Sequence, residues 1–314
     1  MKILRPIVGL LVSAAALWIV SGQVDLRSTG AILATATPAW VVAMVGAFVV
    51  DVMLRARRWQ LLLSSIRTLR YPTVLASVLV GYLANNVLPA RLGEVVRSSH
   101  LGGRTGVGAA TALGTVVVER AIDTAMVVGI AGLAVLSLQV SGPVASAVMV
   151  GLVVVGVLTA GIAVAIAAHR LPGAAAVSRL AARWAILSGL TARLRHGIAV
   201  AGRPRTVLVA VVLSAGAWAM SSLAFSFAAG ALGISLGPAE AALFATGVAL
   251  ATAVPAGPGY VGTFELAGVA VGAALGIGPD QALALTVLAH VGILGFTSVG
   301  GAIALIRTGW SPPE

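Results

Sequence analysis

Long apolar runs, separated by short stretches that carry arginines, cover almost all of this 314-residue chain. Hydrophobic residues make up 59% of the sequence and charged residues only 9%, whereas a soluble domain carries roughly 25% charged residues. So few charges cannot cover a globular surface, and the outer surface must therefore contact lipid. Because one crossing needs about 20 apolar residues, the sequence predicts an all-α, polytopic membrane protein.

The apolar runs define the predicted helices, and two regions of the pattern are interrupted. The runs lie at about 7–20, 38–54, 74–87, 107–138, 144–168, 207–232, 239–254, 264–275 and 282–306. We predict about six full transmembrane helices and two broken, re-entrant helical hairpins, at 74–104 and 239–277, within a single membrane domain over 1–314. The first run also fits a signal peptide, but we favour a transmembrane helix because more crossings follow.

The placement of the arginines predicts the orientation of the chain. Cytoplasmic loops are rich in arginine. We therefore place both termini, an interfacial amphipathic segment at 55–72 and a basic loop at 169–205, between the two halves, on the cytoplasmic side of a bacterial inner membrane. By this count the broken regions enter from opposite faces. Such an arrangement is typical of inverted repeats around a midplane site, and we expect a polar cavity between the two breaks.

The first break is the most polar part of an otherwise apolar region. It contains Asn85, Asn86, Pro89, Arg91, Gly93, Glu94 and Arg97. Proline and glycine interrupt the helix, and Arg91, Glu94 and Arg97 share one face of a helix that restarts after the proline. Since guanidinium groups suit phosphate or carboxylate, the motif predicts a headgroup-binding wall. The alternative is a juxtamembrane arginine pair that meets lipid headgroups, with Glu94 as its counter-ion.

Three charged residues, Glu119, Arg120 and Asp123, lie inside the long apolar run at 107–138. Charges within a membrane helix are costly and rarely face lipid. Glu119 and Asp123 are four residues apart on one face, and Arg120 can pair with Asp123. Two interpretations stay open: an internal ion pair that fixes helix packing, or part of the cavity lining.

The second break contains Pro255, Pro258, Gly259 and Gly262, and Glu265 follows it. Glycine frees the backbone for unusual dihedral angles. Glu265 falls in the first turn of the next helix, where a carboxylate is favoured. The break is therefore a capped re-entrant turn without a ligand, a helix N-terminus that faces an anion, or a place where Glu265 carries a proton.

The sequence argues against several other classes of protein. Its arginines lie between apolar runs instead of on polar faces, which disfavours nucleic-acid binding. It has no cysteine, no His-x-x-x-His and no glycine-rich phosphate loop that ends in Lys-Ser/Thr. We therefore predict a protein that is not an enzyme, with no catalytic residue, no metal and no cofactor. Asp51 and His290 are lone polar residues that we assign to packing or to helix boundaries.

Three motifs occur in a fixed order along the chain. They are Asn85-Asn86-Val87-Leu88-Pro89-x-Arg91-x-Gly93-Glu94-x-x-Arg97, then Glu119-Arg120-x-x-Asp123, then Pro255-x-x-Pro258-Gly259-x-x-Gly262-x-x-Glu265. Together they resemble the flippase-like family, which is the membrane domain of lysylphosphatidylglycerol synthases and its stand-alone relatives. The resemblance covers most of the chain. It implies a lipid translocase, which in bifunctional members moves aminoacylated phosphatidylglycerol to the outer leaflet; relatives are linked to polyprenyl-phosphate sugars and hopanoids.

The resemblance leads to a functional hypothesis with two alternatives. The sequence ends at Glu314 soon after the last apolar run, so we expect no soluble aminoacyl-transferase domain and no synthase activity. We predict a flippase-like lipid translocase in which Arg91 and Arg97 engage an anionic headgroup. The alternatives are a secondary transporter of a small solute and a non-catalytic membrane partner of a lipid-modifying enzyme. The expected partners are anionic, aminoacylated, glycosylated or polyprenyl-linked lipids; a homo-oligomer and a separate lipid-synthesising enzyme stay open.

Overall fold

The computed structural model of the protein describes residues 4–88, 92–168, 203–252, 254 and 256–310. In these ranges the chain forms eleven α-helices and no strand, which confirms the predicted all-α class. The helices are α1 Leu4–Ser21, α2 Leu26–Ala34, α3 Pro38–Leu63, α4 Tyr71–Val87, α5 Gly93–Thr105, α6 Ala109–Ser137, α7 Pro143–Ala168, α8 Pro204–Ala231, α9 Pro238–Ala251, α10 Thr263–Ala274 and α11 Pro279–Thr308. A short 3-10 turn, Pro258–Tyr260, precedes α10.

Three helices of the described part, α3, α8 and α11, are long and apolar enough to cross a membrane. The pair α1 and α2 adds a fourth candidate crossing that bends by 87° near Gly22. Helix α6 has 29 residues, but its apolar pattern contains the three charged residues noted above. The described helices thus give three or four crossings by length and composition, and the predicted count of about six stays a prediction.

Helix starts in this chain follow from proline placement. Six helices, α3, α4, α7, α8, α9 and α11, have proline at their first or second position. Proline suits that position because its fixed φ is helical and the first amide hydrogens have no partner within the helix. Gly106 ends α5 with φ +69, a left-handed conformation that glycine adopts at low cost. Local chemistry therefore sets the helix boundaries closely.

The core is built from small residues and a few large aromatic ones. Its largest cluster joins α3, α6, α8, α9 and α11 and includes Met44, Phe48, Phe225, Phe244 and Leu285. Alanines such as those of α8 let neighbouring backbones approach closely, which is how helices associate in lipid. A second cluster packs α3 and α6 against α4 and α5. These two clusters hold the broken regions in place.

The structure differs from the sequence prediction around residues 55–63. We placed a helix end at Leu54 and an interfacial segment after it, but α3 continues to Leu63. Arg58 and Trp59 are fully buried, because Arg58 pairs with acidic groups of α6 and the indole N–H of Trp59 donates to Thr115. An interfacial helix would expose its polar face to water. Most of the predicted basic loop, 169–202, lies outside the described residues.

The first broken region is an antiparallel hairpin of α4 and α5. At its open end the hydroxyl of Ser77 bonds Nδ1 of His100 at 2.9 Å. Near its tip the amide N–H of Gly93 donates to Oδ1 of Asn85 at 2.7 Å. Gly93 permits this closeness, since a Cβ there would lie 2.5 Å from Cγ of Asn85 and would also overlap the carbonyl oxygen of Gly81. The end of α4 and the start of α5 form the tip of this first hairpin.

The second broken region, α9 and α10, also folds back on itself. A Cβ on Gly247 of α9 would lie 2.6 Å from Cγ2 of Val271 of α10, so the two short helices pack closely. The tip of this second hairpin comprises the described residues 256–262 and is supported by α1. There the hydroxyl oxygen of Ser13 accepts a hydrogen bond from the amide nitrogen of Gly257, with 2.9 Å between the two atoms.

The two hairpins approach from opposite ends of α11, and their tips meet beside its middle. His100 of the first hairpin bonds Thr308 near the end of α11 at 3.0 Å, whereas α10 packs on Ala282 near its start. Midway, the side-chain amide of Asn86 donates to the hydroxyls of Thr297 and Ser298, both at 2.9 Å. A helix of 30 residues is about 45 Å long, enough to cross a bilayer. The two tips therefore lie beside the middle of a helix that is long enough to cross a bilayer.

Candidate functional site

A cavity of about 330 Å³ lies where the two tips meet. Its wall includes Asn85, Asn86 and Glu94 from the first hairpin and Tyr260 and Phe264 from the second. The rest of the wall comes from α3, α6, α8, α9 and α11 and is largely apolar. The two breaks in the hydrophobic pattern thus border one shared space, which carries both polar and apolar surface.

In the described part of the chain, a network of four arginines and three carboxylates lies along one side of this cavity. Its members are Asp51, Arg55 and Arg58 of α3, Arg97 of α5, and Glu119, Arg120 and Asp123 of α6. Burying a charge without a partner is strongly destabilising. The pairing therefore explains how α3, α5 and α6 tolerate charges at this depth.

Arg58 is the centre of the network and is fully buried. It holds Asp123 with both terminal nitrogens, at 2.5 and 2.9 Å, and lies 3.0 Å from Glu119. Its Nη1 also donates to the hydroxyl of Ser214 on α8 at 2.6 Å. A bidentate arginine–carboxylate pair is among the strongest polar contacts in proteins. Arg58 therefore ties α3, α6 and α8 together.

Arg55 and Arg97 flank this centre, and each also rests on an indole ring. Arg55 donates through Nε to both oxygens of Asp51, at 2.9 and 3.0 Å, and its guanidinium lies 4.7 Å from the Trp218 ring. Arg97 lies 3.2 Å from Glu119 and 4.6 Å from the Trp59 ring. Such cation–π contacts stabilise desolvated arginines. Both guanidinium groups are thus held in fixed positions.

Arg120 and Glu94 differ from the rest because they face the open space. The Arg120 side chain is 44% exposed and makes only longer contacts, 3.4 Å to Glu119 and 3.9 Å to Asp123. Glu94 is partly exposed on the same cavity wall. Within the described residues its carboxylate has no ion-pair partner inside 4.0 Å. These two side chains are therefore available to a charged ligand.

A second pair of titratable side chains, Glu265 and His290, lies beside the second tip. Nδ1 of His290 is 2.5 Å from the Glu265 carboxylate, and Nε2 is 2.8 Å from the carbonyl oxygen of Gly259. The other oxygen of Glu265 accepts the amide N–H of Gly262 at 2.6 Å. Phe264 stacks on the imidazole with 4.0 Å between ring centroids. The pair thus fastens the tip to α10 and α11.

The structure brings most of the sequence-predicted site residues together. Those on the cavity wall are Asn85, Asn86, Glu94, Arg120 and Asp123, and Arg97 and Glu119 lie behind them in the ion network. Glu265 joins the group through His290, which lines the cavity. Of the predicted helix-breaking residues, Gly93 starts α5, and Pro258, Gly259 and Gly262 lie between α9 and α10. Pro89, Arg91 and Pro255 lie outside the described residues, and the role of every residue stays a prediction.

Sequence reasoning missed four members of the charged clusters. Arg55 and Arg58 were placed in an interfacial segment, and Asp51 and His290 were assigned to packing or to helix boundaries. A signal was present: Asp51, Arg55 and Arg58 follow each other at spacings of four and three on one helical face. The two arginines on that face are complementary in charge to the acidic face formed by Glu119 and Asp123. Nothing in the sequence pairs His290 with Glu265.

The chain belongs to the family described as the lysylphosphatidylglycerol synthase TM region, whose sequence model matches residues 7–301. This match confirms the resemblance seen in the motifs and, with the apolar helices, a multi-pass membrane protein. The chain is also similar to a protein named Glycosyltransferase AglD from Haloferax volcanii, with 26% identity over 96% of this chain and 54% of the relative. The chain thus spans about half the length of that curated relative.

Proposed function

We propose that this protein is a lipid translocase that moves a lipid with a polar or charged headgroup across the cytoplasmic membrane. The observation that carries the proposal is the cavity between the hairpin tips, where Arg120 is exposed and Glu94 is partly exposed at mid-depth among apolar helices. Charged side chains at that depth mark pathways for polar substrates. In this proposal the chain moves the headgroup without changing it chemically, and membrane lipids are its partners.

The arrangement of the hairpins supports movement between the two leaflets. Since the hairpins approach from opposite ends of α11, tilting one tip would open the cavity toward one face, and tilting the other would open it toward the opposite face. Alternating access in transporters works by such motions around a fixed midplane site. We further propose that both termini are cytoplasmic in a bacterial inner membrane, that the tips belong to inverted repeats, and that acyl chains stay in the surrounding lipid.

The charge on the cavity wall supports a headgroup that carries phosphate. The guanidinium of Arg120 has free hydrogen-bonding capacity, and arginine suits phosphate oxygens. The carboxylate of Glu94 can balance a cationic substituent or accept hydrogen bonds from hydroxyl groups. Phosphatidylglycerol, its aminoacylated forms and polyprenyl-phosphate sugars all meet these requirements.

A leaflet-exposure assay in proteoliposomes tests the proposal. Candidate phospholipids and a polyprenyl-phosphate sugar, each with a fluorescent label, are reconstituted with the protein, and the fraction that becomes accessible to a membrane-impermeant quencher is followed over time. For the transported lipid we expect Arg120→Gln and Glu94→Gln each to slow exposure at least about tenfold, because losing one charge-assisted contact costs about 1.5–3 kcal/mol.

The matched controls are Arg57→Gln and Glu240→Gln, which change the same residue types away from the cavity. Arg57 is exposed near the end of α3, and Glu240 bonds the amide N–H of Gly237 at the start of α9. Both should transport at the wild-type rate. Equal rates in wild-type and protein-free liposomes for every lipid would refute the proposal, and equal slowing in the controls would show that the cavity is not the site.

A second candidate function is that of a non-catalytic membrane partner of a lipid-modifying enzyme. It is favoured by one observation: the similar protein named as a glycosyltransferase is nearly twice as long as the aligned region, since the match covers 54% of it. In this case the cavity would hold the lipid for an enzyme supplied by another chain. Lipid binding without leaflet exchange in the same proteoliposomes would favour this candidate over translocation.

A further inference from the structure

We infer that Glu265 and His290 form a proton-binding site whose occupancy sets the position of the second hairpin tip beside the cavity. The two side chains belong to different helices, α10 and α11, and both are buried. His290 lines the cavity, and the tip that it contacts is part of the same wall. The proton would therefore act directly at the border of the proposed headgroup site.

From a count of hydrogens, we assign this pair one proton more than an ionised glutamate and a neutral histidine would hold. Both ring nitrogens of His290 face oxygens, at 2.5 Å in the Glu265 carboxylate and 2.8 Å in the Gly259 carbonyl. A carbonyl oxygen and an ionised carboxylate only accept hydrogen bonds, and a neutral imidazole has only one N–H. Two contacts need two protons, so the second proton lies on the imidazole or on Glu265.

Loss of that proton weakens the contact with the tip and spares the contact with the carboxylate. A neutral imidazole keeps its single N–H for Glu265, because the bond to a charged acceptor is the stronger one. Nε2 would then direct a lone pair at the carbonyl oxygen of Gly259, so that two buried acceptors face each other. The carbonyl of Gly259, a residue with φ +63, would then lose its hydrogen bond to His290. The position of the tip would no longer be fixed by that bond.

Among the described residues, no other charged group forms an ion pair with Glu265 or His290. Those that line the same cavity are Asp51, Arg55, Tyr82, Glu94, Arg120 and Asp123, and they belong to α3, α4, α5 and α6. Helix α8 contributes only Trp218, Ser221 and Phe225 to that wall, and Tyr260 is on the tip itself. Glu240 and Asp280 lie in the first turns of α9 and α11, at the open end of the hairpin. Within the described residues the ion-pair partner of Glu265 is His290 alone.

The Glu265→Gln variant provides the decisive test because it imitates the protonated pair. A glutamine amide N–H can donate to Nδ1 of His290, which frees the imidazole N–H for Gly259, and the amide oxygen can still accept from Gly262. All contacts are then satisfied without a shared proton. The matched control is Glu240→Gln, since Glu240 caps its own helix through an equivalent 2.6 Å bond but has no histidine partner.

The tip position can be measured without any lipid substrate. The chain has no native cysteine, so spin labels at Val261→Cys and Ile306→Cys, both at exposed positions, report the distance from the tip to the end of α11. The pair Val42→Cys and Ile306→Cys serves as a reference. Distances are recorded in nanodiscs from about pH 5 to about pH 9, the range that brackets histidine titration.

We expect the distance between the labels at positions 261 and 306 to change with pH in the wild type and in Glu240→Gln. The change should follow the titration curve of a single proton. In Glu265→Gln it should stay at the low-pH value throughout. A wild-type distance that is constant over the whole range, or a Glu265→Gln variant that keeps the wild-type pH dependence, would overturn the inference. Coupling of this proton to headgroup movement rests on the proposed function; a pH-dependent tip without lipid transport would refute only that function.

Discussion

The Asp123→Asn variant should lose about 3–5 kcal/mol of unfolding free energy, because it leaves a buried arginine without its main partner. The Asp123 carboxylate accepts hydrogen bonds from both terminal nitrogens of Arg58, which is fully buried. The same carboxylate also lies 3.5 Å from the Arg55 guanidinium. In asparagine one oxygen becomes an NH₂ group, which would face an arginine N–H. Unfolding in mixed micelles of increasing sodium dodecyl sulfate, followed by tryptophan fluorescence, measures the change.

The control for this variant is Asp280→Asn. Asp280 is partly exposed, and its carboxylate accepts a hydrogen bond from the amide N–H of Asp25. An asparagine oxygen can accept the same bond, so we expect a change within about 0.5 kcal/mol. The double variant Arg58→Met with Asp123→Leu should recover part of the loss, since it removes both buried charges together. Equal stabilities of wild type and Asp123→Asn would contradict the view that this network is buried.

The second large effect is expected for Gly93→Ala in the first hairpin. An added methyl group would lie 2.5 Å from Cγ of Asn85 and would overlap the carbonyl oxygen of Gly81. Helices α4 and α5 would have to separate, which costs about 1–3 kcal/mol for an overpacked site. We therefore expect a lower midpoint in the same unfolding experiment, together with faster exchange of amide hydrogens in α5.

Gly129→Ala is the matched control on α6. A Cβ at Gly129 would meet no atom within 4 Å, and alanine is the better helix former by about 0.5–1 kcal/mol. The two identical substitutions should thus change stability in opposite directions. A Gly93→Ala protein that is as stable as Gly129→Ala would show that the hairpin does not need the close contact.

Most of the helices could be predicted from the sequence, because hydrophobic length and helix breakers are local signals. The apolar run at 107–138 became α6, and the run at 282–306 became α11, within a few residues at each end. Pro258 and Gly259 located the second break for the same reason. Helix α2 was missed, since Leu26–Ala34 is short and its polar start at Asp25 looked like part of a loop.

The charged network could be predicted only in part, because its partners are far apart in sequence. Glu119 and Asp123 attracted attention as charges inside an apolar run, and they are central to the observed cluster. Arg55 and Arg58 did not, because arginines that follow an apolar run normally mark the membrane boundary. Only the packing of α3 against α6 and α8 shows that Arg58 remains inside. The contact of His290 with Glu265 likewise needs the fold.

The contact between the two tips has a thermodynamic consequence. Gly259 lies against the carbonyl oxygen of Asn86, and Asn86 is itself bonded to α11, so a change at one tip alters the energy of the other. Coupling between two ligands is reciprocal: if a proton at one tip changes headgroup affinity by some factor, the headgroup changes proton affinity by that same factor. Filling the cavity would then release or absorb a fraction of a proton. Calorimetric titration in buffers of different ionisation enthalpy would give that fraction directly.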